Sequence, residues 1–340
     1  MNELAEPFDR LLAEVCTPAT VRAVEGGASA AALWSAVESS GFLDTLVPEG
    51  AGGAGLRLAD AFALFAAEGR HAVPLPLAHT MLARALLAGS DVRIPRGAIA
   101  IASETRVAAD GALACPGTPY GLVADAVVVS IDAGWRVLPA ASAERVASGV
   151  HGSLRADLHW PAPPADAIAG TRAVSWREAG AALAAALLAG TLQRVLETTV
   201  AFANERVQFG RSIGKFQAIQ HQLAGMAEHV VAAHMAAQIG CSGDGPLPVP
   251  LRAALAKSRA SEAAALVAPM AHAVHGAIGI TAELDLQLYT RRLHELRADF
   301  GAETRWNRVL GRALLDADAP LALDFMRSVL LPGNDEIRAP

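Results

Sequence analysis

The segment ERVQFGRSIGKFQAIQHQLAGM, residues 205–226, carries the clearest site chemistry in the chain. It reads as the end of one helix, a turn holding Gly210 and Gly214, and a new helix opening near Lys215. A helix start offers backbone N–H groups without partners, and Arg206 sets a permanent, two-pronged cation beside them. That combination suits a pyrophosphate. The same residues also describe an ordinary helix–turn–helix corner with an exposed arginine, and spacing alone does not separate the two readings. Other chemistry is sparse. His272 and His275 have no third ligand at a useful spacing, so packing roles are expected and no metal site. Cys16, Cys115 and Cys241 are scattered without pairing, which points to a reducing compartment.

Three zones of different texture must position these residues. Residues 1–95 read as a helical domain, with short helices joined by glycine and proline turns. Residues 96–165 read as a small β domain, from runs such as AIAIAS (98–103), ADAVVVSID (124–132) and GWRVLPA (134–140). The proline cluster HWPAPPADA (159–167) reads as a linker. Residues 170–335 read as a helical bundle domain, since Leu188, Leu192, Val195, Thr199 and Phe202 recur on one helical face. Phe216, Ile219, Leu223, Met226, Val230 and His234 repeat that period, and further helices are expected over 251–274, 284–299 and 304–316. The chain is 53% hydrophobic but only 5% aromatic, because alanine carries much of the apolar count and favours helix. A net charge of −6 without basic runs argues against nucleic acid. The acidic start, and the lack of a long uninterrupted apolar run, point to a cytoplasmic protein without membrane insertion.

The run Arg206-x-x-Phe209-Gly210, followed by Phe216-Gln217-x-Ile219-Gln220, closely resembles the signature of the acyl-CoA dehydrogenases. VPEGAGGAGL (47–56) resembles that family's N-terminal Pro-Glu-x-x-Gly-Gly-x-Gly loop, and GRHAVPLPLA (69–78) its following turn. HGAIGITAELDLQLYTRR (275–292) resembles its C-terminal glycine turn and helix. The resemblance implies a mainly α fold: an N-terminal helical domain, a reduced middle β-barrel and a C-terminal antiparallel four-helix bundle. It implies FAD shared across a subunit interface, with Arg206, Phe209, Gly210, Phe216, Gln217, Gln220 and Gly276 on the cofactor. It also implies an acyl-CoA substrate, desaturated between its α and β carbons, and an electron-accepting flavoprotein as redox partner.

Departures from the family pattern bear on which chain does the chemistry. The usual base is a glutamate in a C-terminal Ile-Tyr-Glu-Gly-Thr run, and ungapped alignment sets Phe300 at that position. Asp299 and Glu303 are the nearby carboxylates. Some members carry the base on the first bundle helix, where this chain has Gly180; Glu178 is about 200° away around the helix. Ser175-Trp-Arg-Glu178 also fits a capping box, which gives Glu178 a structural reading. The flavin-ring stretch survives only as Ser103-Glu104-Thr105, and Ala273 stands where a flavin-holding glutamine is usual. One of Arg291 and Arg292 is expected to pair with a bundle carboxylate.

These losses point to a hetero-oligomer, a heterodimer or α2β2, in which a related acyl-CoA dehydrogenase subunit supplies base and ring pocket. This chain would then complete its partner's FAD site, as in the heteromeric enzymes of steroid breakdown. Two alternatives stand beside that reading. One is a self-sufficient homo-oligomer using Glu178, Asp299 or Glu303 as base; the other is a redox-inactive scaffold or acyl-CoA binding protein.

Overall fold

A computed structural model of the protein describes residues 3–88, 95–131, 134–162, 164, 167–170, 174–243 and 245–330. Five helices come first: α1 (Ala5–Val15), α2 (Pro18–Glu25), α3 (Ala31–Ser39), α4 (Leu58–Arg70) and α5 (Leu77–Ala88). Thr17 caps α2 through its side chain, with Pro18 at the first helical position. The glycine loop before α4 is a fold requirement: Gly52 and Gly55 have positive φ, and a Cβ on Gly53 would sit 2.2 Å from the Val47 carbonyl oxygen.

Among the described residues eight strands follow: β1 (Ile99–Ile101), β2 (Arg106–Val107), β3 (Leu113–Thr118), β4 (Ala126–Ile131), β5 (Gly134–Pro139), β6 (Glu144–Ala147), β7 (Ala156–Trp160) and β8 (Ile168–Gly170). They form two four-stranded sheets, in the orders β1-β4-β5-β8 and β2-β3-β7-β6, so the reduced barrel is a pair of facing sheets. Alternation sorts the residues. Ala100, Val127, Val129 and Leu138 pack toward the second sheet, whereas Ile99, Ile101, Val128 and Val137 join the helical core. The expected linker is shorter than its prolines suggested. His159 and Trp160 lie in β7, and Trp160 is wholly buried with its indole N–H donated to the Pro139 carbonyl. Pro163, Ala165 and Asp166 of that stretch, and residues 331–335 of the expected last domain, lie outside the described residues.

The C-terminal part holds α6 (Trp176–Glu205), the hairpin β9 (Val207–Gln208) and β10 (Arg211–Ser212), then α7 (Gln217–Gly240), α8 (Pro250–His275), α9 (Leu286–Ala298), α10 (Glu303–Asp316) and α11 (Ala322–Leu330). Helices α6 to α9 form the bundle; α10 packs on α8, and α11, which the periodicity did not announce, seats Phe325 and Val329 beside Leu251. Glycine is what lets α6 lie so close to α4. A Cβ on Gly190 would sit 1.8 Å from the Ala66 carbonyl oxygen, and one on Gly69 2.0 Å from that of Leu187. Thr191 Oγ1 bridges the crossing by donating to the Gly69 carbonyl. By length and composition α6 and the segment Pro250–Ile280 could each cross a bilayer, yet the apolar stretch of α6 is 83% buried within the fold. Its apolarity serves the core.

Candidate functional site

The residues singled out by the sequence fall into two regions. The first is an exposed end of the bundle. Helix α6 stops at Glu205, Arg206 turns the chain out, and β9 and β10 make a two-residue-per-strand hairpin tipped by Phe209 and Gly210, both at positive φ. Phe209 is 92% exposed, and a bulky residue held in the left-handed region at a hairpin tip is displayed rather than packed. Arg206, Gly210, Gln217 and Gln220 are exposed too, and Phe216 is half-buried. The base of the hairpin is firmly built. The Ile213 N–H donates to the Arg206 carbonyl, Gln220 Nε2 donates to the Gly214 carbonyl, and the Arg211 guanidinium lies 4.1 Å over the Phe216 ring.

Gly276 belongs to the same end. It closes α8 at φ 67° and ψ −151°, and the preceding His275 stacks on Phe202 of α6 with ring centroids 4.3 Å apart. Ala273 is exposed nearby, without the amide usual in the family it resembles. His272 donates to or accepts from Thr290 Oγ1, and His275 Nδ1 meets the Ala271 carbonyl, so both histidines are packing residues. This end has features that suit the diphosphate of an FAD, an exposed guanidinium and the N–H groups of a helix start, with Glu205 the carboxylate next to them in sequence.

The second region is closed. Phe300 is 1% exposed and adopts φ 57°, and its ring lies where a side chain on Gly180 would have to go. A Cβ on Gly180 would sit 2.2 to 2.4 Å from three atoms of that ring. The two positions at which the family carries its base are thus in contact, one a phenyl ring and the other a glycine. His79 and Tyr120 complete the plug, with ring centroids 5.7 Å and 5.6 Å from His79 to Phe300 and Tyr120. Burial lowers the His79 pKa to about 3, so the imidazole is neutral; its Nδ1 accepts the Ile101 N–H.

The neighbouring carboxylates are committed. Asp299 is buried and ion-paired with Arg155, whose other arm donates to the Gly117 carbonyl. Burial raises the Asp299 pKa, with Arg155 and Lys257 opposing that rise. The void beside it, between Tyr120, Arg155 and Arg292, is about 10 Å³, too small for a substrate. Glu303 opens α10 and is clasped by Arg297 at 2.9 Å and 2.5 Å, a pairing that holds its carboxyl below the usual range.

Glu178 departs from its expected role. Ser175 is the N-cap of α6, but at ψ 71° its hydroxyl makes no capping bond, so the capping box does not form. Glu178 instead lines a cavity of about 270 Å³ with Ser103, Glu104, Thr105, Ser130 and Arg177. Ser103 Oγ and Trp176 Nε1 are buried there without hydrogen-bond partners. Of the arginine pair, Arg292 meets a bundle carboxylate as expected, and Glu25 adds a partner that the sequence did not announce. Both Arg291 and Arg292 reach Glu25 of α2, at 2.8 Å and 3.2 Å, and only Arg292 also meets a bundle carboxylate, Glu295. Glu25 was missed because nothing local marks a helix-end glutamate as the partner of residues so distant in sequence.

Comparison with known proteins places this geometry in context. Residues 170–315 match the acyl-CoA dehydrogenase C-terminal domain. Over 301 residues the chain is 35% identical to the acyl-CoA dehydrogenase IpdE2 of Mycobacterium tuberculosis, a match covering 86% of this chain and 90% of that relative. It is 32% identical to FadE34 of the same organism over 315 residues, which span 84% of this chain and 42% of that longer protein. Among solved structures, a chain of the ChsE4-ChsE5 complex from M. tuberculosis superposes with a TM-score of 0.78 at 21% identity, covering 93% of this chain and 97% of that one. A chain of the Tcur3481-Tcur3483 steroid ACAD gives a TM-score of 0.78 at 26% identity, covering 91% and 96%.

Proposed function

The chain belongs to the acyl-CoA dehydrogenase family, and from that premise we propose that it is the subunit that completes an FAD site for a related, catalytic partner. One observation carries the reading: Phe300 fills the space over Gly180, so neither position that bears a base in the family can bear one here. Bound FAD supplies the two-electron oxidation of the acyl-CoA thioester, taking a hydride from the β carbon. Residues of this chain would do the holding. Arg206 and the first turn of α7 would neutralise the diphosphate, and Phe209 with Gln217 would bound the nucleotide half. The α proton would go to a base on the partner, and the electrons onward to an electron-accepting flavoprotein.

The two similar structures named as pairs, ChsE4-ChsE5 and Tcur3481-Tcur3483, support an assembly of two different chains, a heterodimer or α2β2. A bulky, steroid-derived acyl-CoA is the substrate class we infer, from the second of these names. One observation favours a second reading. The unpartnered Ser103 Oγ and Trp176 Nε1 lie in the same cavity as Glu178, and such donors would suit the carbonyl edge of a flavin bound by this chain itself. The test is the visible spectrum of the chain purified alone and again with a co-expressed longer relative. Colourless protein that gains flavin and acyl-CoA oxidation only with the relative is the expected result. Stoichiometric flavin on the lone chain, bleached by an acyl-CoA, would transfer the chemistry to Glu178.

A further inference from the structure

Phe300 holds a backbone conformation that a bulky side chain seldom adopts, and something must keep it there. Its neighbour Gly301 is also left-handed, at φ 104°, so the chain between α9 and α10 doubles back through two such residues. The bonds within the turn are few: the Gly301 N–H donates to the Ala298 carbonyl, and the Asp299 N–H to that of Glu295. The Arg297 and Gly301 carbonyls on either side of the turn are reached from α8.

Lys257 of α8 meets them there. It is wholly buried, yet its Nζ has three partners: the Arg297 carbonyl at 2.8 Å, the Gly301 carbonyl at 3.0 Å and Ser261 Oγ at 2.8 Å. Trp306 Nε1 adds a second donor to the Gly301 carbonyl at 3.0 Å. The two backbone oxygens that Lys257 holds bracket Asp299 and Phe300 on either side, and Asp299 is fixed from the opposite direction by Arg155. A lysine without any exposed surface is rare unless its donors are matched, and here each is matched to an atom of the turn or of its own helix.

We propose that Lys257 is the positioning residue of the plug: by tying the Arg297 and Gly301 carbonyls to α8 it keeps Phe300 left-handed and seated over Gly180. Lys257 touches neither Phe300 nor the closed cleft by any bond; it acts through the turn. Removing it takes the donor from the Arg297 carbonyl and leaves the Gly301 carbonyl to Trp306 Nε1 alone, so the turn recovers the lost hydrogen bond by moving outward and withdrawing the ring. The closed cleft then becomes an apolar void lined by Gly180, His79 and Tyr120. The clamp lies within the fold of this chain alone and does not depend on a partner.

The test uses the full chain with Lys257→Met, which keeps the bulk of the stem and removes the donors. Amide hydrogen exchange followed residue by residue is the first readout. The Asp299 and Gly301 amides should exchange at least about tenfold faster than in the wild type, while amides in the middle of α8 keep their rates. Binding of indole as a small apolar probe is the second readout: the variant should take it up and the wild type should not. Turn amides and probe exclusion both unchanged would overturn the proposal, as would exchange raised evenly over α8, α9 and α10. If the Met variant does not fold, Lys257→Gln takes its place, one methylene shorter and with two donors. Faster exchange confined to Asp299 and Gly301 then supports the clamp, and a profile identical to the wild type, or evenly raised, refutes it.

Discussion

The exposed end around Arg206 and the closed cleft around Phe300 obey opposite rules. At the exposed end, side chains that would bind are displayed: Phe209 is 92% exposed and Arg206 stands free of the core, while the backbone beneath is fixed by short-range bonds. In the closed cleft the groups at and around the base positions answer one another: phenyl against glycine, Asp299 against Arg155, Glu303 against Arg297. Display at one end and filling at the other are what the proposed half-site role requires. The contrast also separates two kinds of cost. Mutations in the closed cleft should be paid in stability, and mutations at the exposed end in binding alone.

The largest expected effect is that of Phe300→Ala. Emptying a fully buried phenyl site costs about 3–5 kcal/mol, and chemical denaturation of the full chain should read that loss directly. Retained stability would mean that the cleft collapses freely and the ring is no plug. Gly180→Ala comes next. Overpacking against a buried ring costs about 1–3 kcal/mol, and the first atoms a new Cβ would meet belong to Phe300. In the Phe300→Ala background the same substitution should therefore cost nearly nothing. A double-mutant cycle with a coupling close to zero would break the claim that these two positions share one space.

Arg206→Ala should leave the unfolding curve where it was, because the side chain is exposed and makes no ion pair among the described residues. In the assembled enzyme, loss of a charge-assisted contact to a diphosphate is worth about 1.5–3 kcal/mol, or roughly a 10–100-fold weaker hold on FAD. Flavin release on dilution, followed by fluorescence, measures it. An unchanged release rate would remove the exposed end from the cofactor site and leave the hairpin without a function.

The two regions were also unequally legible in the sequence. The Arg206 end is local, a helix stop, a glycine turn and a helix start within some twenty residues, so its shape was legible, while the choice between a diphosphate site and an ordinary corner rested on the family resemblance. Phe300 and Gly180 were legible one at a time as the residues at the family's two base positions, but their contact joins α6 to the α9–α10 turn and is purely tertiary. The capping box at Ser175 was misread because its letters fit while ψ at Ser175 does not. Lys257 carried no signal either, since a lysine within an alanine-rich helix reads as a solvated charge. Glu25 is the same lesson from the other side. The helices themselves were predicted well where an apolar face repeats, and α11 escaped because only two of its residues, Phe325 and Val329, are buried.

The smallest effect sharpens what being closed means for a titrating group. His79 is buried against Phe300 and Tyr120, and its pKa falls from an ordinary 6.5 to about 3 through burial alone. Below pH 6.5 the unfolded chain takes up a proton at this residue while the folded chain does not. Stability is therefore full above pH 6.5 and declines as the pH falls toward 3, by about 1.4 kcal/mol per pH unit from this one group. His79→Gln keeps an acceptor for the Ile101 N–H and cannot titrate, so its stability should fall less steeply than the wild type between pH 6 and pH 4. Equal slopes would mean that water reaches the imidazole in the wild type. The cleft would then be open to solvent, and the distinction between the two regions would rest on Phe300 and Gly180 without their surroundings.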